Sequence, residues 1–530
     1  MAYVITQNCC KDASCVPVCP VDCIRPVTPP DGFTTTEMLY IDPEACIDCG
    51  ACQEECPVDA IYYEDELPAD LEPFRDLNAR YFAQQPTEPA AIPEQPRHTD
   101  LSPSTLRVAV VGAGPAGCYA AAELLAVAGV DIDVYERLPT PYGLVRAGVA
   151  PDHQHTKAIT KLFDQAFRNK RLTCHFNVEI GRDLSHEELA AHHHAVIYAI
   201  GASQGRLLGI PGEQLNGCHS AAEFVGWYNG HPDHAAREFT LSGERAVIIG
   251  NGNVALDIAR VLLTPVENLR TTDITENALN ALAQSAIREV VIVARRDARN
   301  AAFSVGEFLA LGSLPGVDVV IENGNLEPHA GDDVETAVKL EIAREYAQQP
   351  QTPGHKRIVF RFLAPPAEII GESCVEGLRV GPDDDVIATS LVLRSTGYRG
   401  SPVDGLSFDQ VSGTIPNDRG RVVDADGRPQ AGLYTTGWIK RGPSGVIGTN
   451  RACAEQTVAR MWEDFDNGDL SGPLPARGEV DRLLGERGVT PLEWHDWGTI
   501  DAAERERGAE AARPRLKFVS IAEMVATARS

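Results

Sequence analysis

Twice in this chain an apolar strand runs into a glycine-rich turn and then a helix, the two copies starting about 140 residues apart. The first, "VAVVGAGPAGCYAAAELL", places Gly112, Gly114 and Gly117 as G-x-G-x-x-G. The second, "AVIIGNGNVALDIA", places Gly250, Gly252 and Ala255 in the same register. Glycines at these positions let the chain reverse tightly and bring its backbone against a pyrophosphate seated on the helix N-terminus. Two such starts demand two Rossmann-like units built on parallel sheet. Residues 108–130 are apolar enough to imitate a membrane span, but the glycines and Pro115 in their middle make them a buried strand–turn–helix.

The end of the next strand separates the two units. Nineteen residues after Gly117, "VDIDVYE" closes on Glu136, an acid placed for ribose hydroxyls. In the second unit "REVVIVARR" closes on Arg295 and Arg296, which suit a 2′-phosphate. The first site is therefore expected to hold FAD and the second NADP(H). A helical insertion, "TPVENLRTTDITENALNALAQSA", lengthens the second unit.

Ahead of both units lies a cysteine-rich segment. Nine of the 14 cysteines fall within the first 56 residues, so they form one site rather than scattered small apolar side chains. Cys46, Cys49, Cys52 and Cys56 give C-x2-C-x2-C-x3-C-P, the ligand run of a bacterial iron–sulfur cluster. Cys9, Asp12, Cys15 and Cys19 repeat that run with aspartate in place of one cysteine. In a two-cluster arrangement the fourth cysteine of each run ligates the other cluster. One [4Fe–4S] cluster is then expected on Cys46, Cys49, Cys52 and Cys19. The other falls to Cys9, Cys15 and Cys56, with Asp12 at its fourth corner. Carboxylate is a weak ligand for such iron, so this site is expected to hold [3Fe–4S]. A second [4Fe–4S], ligated by Asp12 or by Cys10 in a shifted register, is the alternative.

With 530 residues the chain exceeds one ordinary core. Its net charge of -28 argues against nucleic acid and against an anionic membrane surface. The first ten residues lack a basic region followed by an apolar one, so no secretory signal is expected and the protein is placed in the cytoplasm.

The first 65 residues resemble the seven-iron bacterial ferredoxins. Residues 106–530 resemble adrenodoxin reductase and the actinobacterial FAD-dependent ferredoxin–NADP+ reductases. The matching stretches include "VVGAGPAG", "TPYGLVRAGVAPDHQ", "GNGNVALDIARVLLTP", "AAFSVGE" and "GWIKRGPSGVIGTN". The complete chain resembles the fusion of the two. The resemblance implies that Gly112, Gly114, Pro115, Ala116, Gly117, Glu136, Leu144 and Val178 contact FAD, with Trp438, Gly445, Val446 and Ile447 at the flavin-ring end. It implies that Gly250, Asn251, Gly252, Asn253, Val254, Arg295, Arg296 and Glu307 contact NADP, and that His153 is the catalytic histidine near the flavin. Some relatives carry a further glutamate where this chain has Ala310, so the resemblance does not by itself give this chain a His–Glu pair.

The expected fold is an α+β ferredoxin-like cluster domain followed by an α/β two-domain reductase. The expected boundaries are 1–65 for the cluster domain and 66–104 for a solvated linker. They continue with 105–210 for the first part of the FAD domain, 211–394 for the NADP domain, and 395–530 for the second FAD part with the C-terminal tail. Function follows: an NADPH-dependent ferredoxin reductase that passes electrons from NADPH through FAD and the clusters to a P450 or a free ferredoxin, the linker tethering the cluster unit near the flavin. The alternative is an NADPH-oxidising electron-input subunit of a larger iron–sulfur flavoenzyme.

Overall fold

A computed structural model describes residues 2–27, 36–86, 98–381 and 385–530. The cysteine-rich unit is framed by two short antiparallel pairs. Strand β1 (Tyr3–Ile5) pairs with β4 (Ile61–Tyr63), and β2 (Ile24–Arg25) with β3 (Tyr40–Ile41). The one-turn helix α1 (Ala51–Glu54) lies inside the second cysteine run.

The expected linker does not begin at residue 66. Residues 73–84 form helix α2 (Pro73–Gln84), which starts on Pro73 and buries Phe74, Leu77, Asn78, Tyr81 and Phe82. Asn78 explains why it packs here. Its Nδ2 donates to Ile5 O at 2.9 Å, and its Oδ1 accepts from Ile41 N at 2.8 Å, so one side chain joins the helix to both strand pairs. Tyr81 stacks on Tyr40 with ring centroids 4.3 Å apart. Part of the expected linker, 87–97, lies outside the described residues.

The first Rossmann-type domain begins with β5 (Leu106–Val111), α3 (Pro115–Leu125), β6 (Val130–Glu136), β7 (Leu172–Phe176) and β8 (Ala195–Tyr198). The chain then leaves through β9 (Gln204–Gly205) and enters the second domain. There β10 (Cys218–Ser220), β11 (Arg245–Ile249), β12 (Glu289–Val293), β13 (Val317–Glu322) and β14 (Lys356–Arg361) alternate with helices. These include α4 (Asn253–Leu263), α5 (Val305–Leu311) and α6 (Val334–Gln348). The expected insertion is helical at Val266–Leu269 and Glu276–Ala283. A small antiparallel sheet follows, made of β15 (Pro366–Ile370), β16 (Gly377–Val380) and β17 (Asp385–Ala388). Strand β18 (Val392–Arg394) completes a six-stranded parallel sheet of order β10-β18-β11-β12-β14-β13.

The chain returns through β19 (Tyr398–Arg399), which pairs with β9, so the two crossings form one antiparallel hinge. Strands β20 (Asn417–Asp418), β21 (Arg421–Val423) and β22 (Pro429–Thr435) then extend the first sheet to the order β20-β21-β22-β8-β5-β6-β7. Helix α7 (Thr449–Asp466) packs on α3, and α8 (Trp494–Glu510) opens the C-terminal tail. No helix among the described residues is long and apolar enough to cross a membrane.

The cysteine-rich unit is packed on both domains rather than tethered beside them. Its apolar core, including Tyr40, Phe74 and Tyr81, is continuous with Val305, Phe308 and Val334 of the second domain. Arg80 pairs with Glu341 of α6 at 2.8 Å, Lys339 of α6 with Glu37, and Tyr40 with Glu335 at 2.5 Å. On its other side Cys10, Val58 and Ala60 enter the core of the first domain beside Cys118 and Tyr119. The tether expected from composition is thus overridden by burial of apolar surface and by polar contacts at its edge.

Candidate functional site

Each nucleotide turn is built around a glycine that sterics require. Gly112 follows β5 with φ +105°, and a Cβ there would stand 2.5 Å from Ala199 O. Gly117, on the first turn of α3, would put a Cβ 1.9 Å from Gly112 O, so helix and turn are in direct contact. Gly114, at the N-cap of α3, has only Gly143 Cα near its missing Cβ, at 4.0 Å, which leaves room for a ligand. Pro115 and Ala116 open the helix. Glu136 ends β6 as expected and is half-buried. Its carboxylate accepts from Ala113 N at 2.9 Å and Leu138 N at 3.0 Å, while burial pushes its pKa above the ordinary range.

The other expected FAD contacts converge on this turn. Val178 N donates to Glu136 O at 2.9 Å, and the loop before Leu144 brings Gly143 against Gly114. From the C-terminal part, Gly437 lies against Ala116, and Trp438 follows it. Trp438 Nε1 donates to Ser444 O at 3.2 Å, which folds the Gly445–Val446–Ile447 loop back beside it. The cradle, the free helix N-terminus and the acid at the strand end fit a dinucleotide.

The second turn has the same build. Gly250 has φ +112°, with Ser395 O 2.2 Å from its would-be Cβ. Gly252 caps α4 and faces open space. Asn251 and Val254 flank it, and Asn253 Oδ1 accepts from Ser304 N at 2.7 Å, which ties the turn to the segment leading into α5. Arg295 and Arg296 follow β12, are exposed, and have no ion-pair partner among the described residues. Two unpaired guanidinium groups at that strand end fit a 2′-phosphate.

Between the two turns the expected His153 and Glu307 join a charged group whose other members, Asp152, Asp257 and Arg260, the sequence did not point to. On α4, Asn253, Asp257 and Arg260 share one face by their i, i+4, i+7 spacing. Arg260 is buried; its Nη1 donates to His153 Nε2 at 2.6 Å and lies 3.0 Å from Asp152 Oδ2. Its Nη2 donates to Asp257 Oδ1 at 2.5 Å. On the other side His153 Nδ1 is 3.7 Å from Glu307 Oε1. A His–Glu pair is therefore present despite Ala310, formed by Glu307 itself from the first turn of α5. Burial raises the pKa of Glu307, opposed by His153. His153, Asp257 and Glu307 have a metal-like spacing, with ligand atoms within 4.8 Å of one another, but Arg260 already supplies the positive charge among them. Tyr398 stacks on Trp438 with centroids 5.8 Å apart and feels the charge of Asp257, linking this group to the flavin-ring end.

The cysteines separate into two groups. Cys19 of the first run joins Cys46, Cys49 and Cys52 of the second around one hollow, lined also by Tyr3, Cys23, Ile24 and Ile41. Cys9, Cys15 and Cys56 form the second group and feel one another's charge. Burial pushes the Cys9 thiol up to about 11 and that of Cys52 to about 12. Thiols so desolvated become thiolates only beside strong positive charge, which iron supplies. All fourteen cysteines are free. Cys10 is buried among the apolar side chains of the first domain.

Asp12, whose charge Cys15 and Cys56 feel, is also held by partners outside the cysteine group. Its Oδ2 accepts from Tyr119 Oη at 2.9 Å, and its Oδ1 accepts from Ser14 N at 3.1 Å. Neither partner was legible in the spacing that singled Asp12 out.

Comparison with known proteins agrees with this layout. Residues 106–303 match the pyridine nucleotide-disulphide oxidoreductase family, and residues 39–62 match the 4Fe-4S binding domain family. The probable ferredoxin/ferredoxin–NADP reductase of Mycobacterium tuberculosis is 46% identical, over 100% of this chain and 95% of that protein. The NADPH-ferredoxin reductase FprA of the same organism is 42% identical over 79% of this chain and 98% of its own length. The solved structure of Mycobacterium tuberculosis FprA in complex with NADPH superposes with a TM-score of 0.76 at 41% identity, covering 81% of this chain and all of that one. Likeness along the whole length, cluster unit included, decides between the two readings of the sequence: the chain belongs to the family of ferredoxin/ferredoxin–NADP reductases.

Proposed function

We propose that this chain oxidises NADPH at its FAD site and exchanges the electrons with a one-electron acceptor protein, a ferredoxin or a P450, through its own iron–sulfur unit. When bound, FAD accepts a hydride and returns single electrons, and the clusters carry electrons one at a time. The chain's own residues bind, orient and manage a proton. Gly112, Gly114 and Gly117 admit the FAD pyrophosphate and Glu136 takes its ribose, while Gly250, Gly252 and Asn253 do the same for NADP. Arg295 and Arg296 select the phosphorylated ribose. His153, held between Arg260 and Glu307, carries a proton at Nδ1. An arginine only donates, so Nε2 must accept and the ring proton sits on the side of Glu307.

The single observation that carries this reading is the pair of sterically required turns, one served by an acid at the next strand end and the other by two exposed arginines. The second supporting one is the docked cysteine unit, with Cys19, Cys46, Cys49 and Cys52 as ligands of a [4Fe–4S] cluster. For the second group, Asp12 turned toward Tyr119 and Ser14 favours [3Fe–4S] on Cys9, Cys15 and Cys56. Free cysteines throughout suit a reducing compartment, hence the cytoplasm.

Replacing both arginines by glutamine tests the coenzyme assignment. A hydrogen bond to a charged group is worth about 1.5–3 kcal/mol, so R295Q/R296Q should raise KM for NADPH by at least roughly tenfold and leave that for NADH unchanged. An unchanged NADPH/NADH ratio would place the 2′-phosphate elsewhere.

A further inference from the structure

We propose that Asp12 is a docking residue: it stands where a cluster run would carry a thiolate, and it fastens the inner cysteine loop to the FAD domain. The proposal rests on the reading that electrons pass between the FAD site and this cysteine unit.

Asp12 is 3% exposed, and both of its carboxylate oxygens accept hydrogen bonds, from Tyr119 and from Ser14, while Cys15 and Cys56 also feel its charge. Tyr119 Oη donates to Oδ2 at 2.9 Å. Arg451 Nη1 lies 3.8 Å from the same oxygen and donates to Asp12 O at 3.0 Å and to Ser14 Oγ at 3.3 Å. Ser14 N and Oγ satisfy Oδ1. A buried carboxylate that accepts from a phenol and a serine, with a guanidinium 3.8 Å away, is a charge-assisted network, stronger than a surface ion pair.

The loop is shaped to deliver this contact. Lys11 and Ala13, on either side of Asp12, have φ of 57° and 64°, a left-handed conformation that non-glycine residues adopt only when their surroundings hold them there. Gly448 N donates to Cys10 O at 2.7 Å. A Cβ on Gly448 would lie 2.0 Å from Lys11 C, so only glycine lets the loop come this close.

The partners are placed on the FAD site's own elements. Tyr119 lies on α3, the helix of the first nucleotide turn. Gly448 and Arg451 follow Val446 and Ile447 at the flavin-ring end. The anchor therefore holds the Cys9, Cys15 and Cys56 group against the elements that bind FAD and leaves the Cys19, Cys46, Cys49 and Cys52 group, with exposed Cys49, on the outside.

The test uses the full-length holoprotein with Y119F and R451Q, neither of which replaces a proposed cluster ligand, and D12N. Hydrogen–deuterium exchange across residues 8–16 should quicken by about tenfold in each. Iron per chain should stay at the wild-type value in Y119F and R451Q. NADPH–ferricyanide turnover, which reads the FAD site alone, should be unchanged in both, while reduction of the clusters by NADPH slows. The effects of Y119F and D12N should be less than additive, as for residues in contact. The proposal is overturned if Y119F and R451Q leave exchange and cluster reduction as in the wild type, and equally if D12N alone loses iron with exchange unchanged. Absence of NADPH–ferricyanide turnover in the wild type would overturn the underlying reading instead.

Discussion

Arg260 Nη1 stands 2.6 Å from His153 Nε2 and donates to it, although the two residues are 107 positions apart. That contact decides which nitrogen of His153 carries the proton. Nitrogen NMR of histidine-labelled protein should show Nδ1 protonated and Nε2 as acceptor. In R260M the two tautomers should mix, and the hydride-transfer rate should fall without a change in NADPH affinity. A wild-type signal from a protonated Nε2 would contradict the assignment.

Gly250 and Gly252 are two residues apart yet should fail differently. Alanine at Gly250 collides with Ser395 O and must hold a positive φ, so G250A should lower Tm and yield little folded protein. At Gly252 nothing lies within 4 Å of the added methyl, so G252A should fold as the wild type does and lose NADPH affinity. Thermal melts beside coenzyme titrations separate the two, and retained affinity in G252A would show that the pyrophosphate does not approach this turn.

A buried ionic network joins the C-terminal tail to both nucleotide domains. Glu504 is fully buried, pairing with Arg146 at 2.5 Å and Arg515 at 3.1 Å. Lys517 and Lys157 meet Asp273 at 2.9 and 2.7 Å. Breaking a buried pair costs about 3–5 kcal/mol, so E504A should lower Tm and speed proteolysis after residue 494. No change in either would mean the tail is not a structural strap.

The same network sets an acid limit. Burial alone would raise the Asp273 carboxyl, but Lys157 and Lys517 hold it below the ordinary range. A depressed folded-state pKa stabilises at neutral pH, and that stabilisation is lost as pH falls below the unfolded aspartate value of about 3.9. Stability should therefore drop steeply on acidification in the wild type and less steeply in D273N, which starts lower. Parallel pH–Tm curves would contradict this.

Iron content tests the role of the second cysteine group. Protein purified without reduction should hold roughly seven irons per chain and show a near-isotropic EPR signal that disappears with dithionite. About eight irons and EPR silence in the oxidised state would mean two four-iron clusters.

Local spacing made part of this legible. Glycine positions, the acid at 136, the arginines at 295 and 296 and both cysteine runs are set by chemistry that acts within a few residues, so their spacing alone singles them out. Helix α2 was hidden because prolines and acids flank it, although Phe74, Leu77 and Tyr81 keep helical spacing and Asn78 faces inward. Asp12 was legible as an anomaly but not as an anchor, because Arg451, one of its partners, lies 439 residues away. Arg260 was passed over because an arginine on a helix is usually solvated, and only the approach of the 152–153 loop makes it the neighbour of His153.

The most direct test of the whole account is anaerobic stopped-flow mixing with NADPH, following flavin and cluster absorbance across a range of protein concentrations. Because the cysteine unit is packed on both nucleotide domains, cluster bleaching should follow flavin bleaching with a first-order rate constant independent of protein concentration. A cluster rate that rises in proportion to protein concentration, or clusters that stay oxidised while the flavin bleaches, would contradict it.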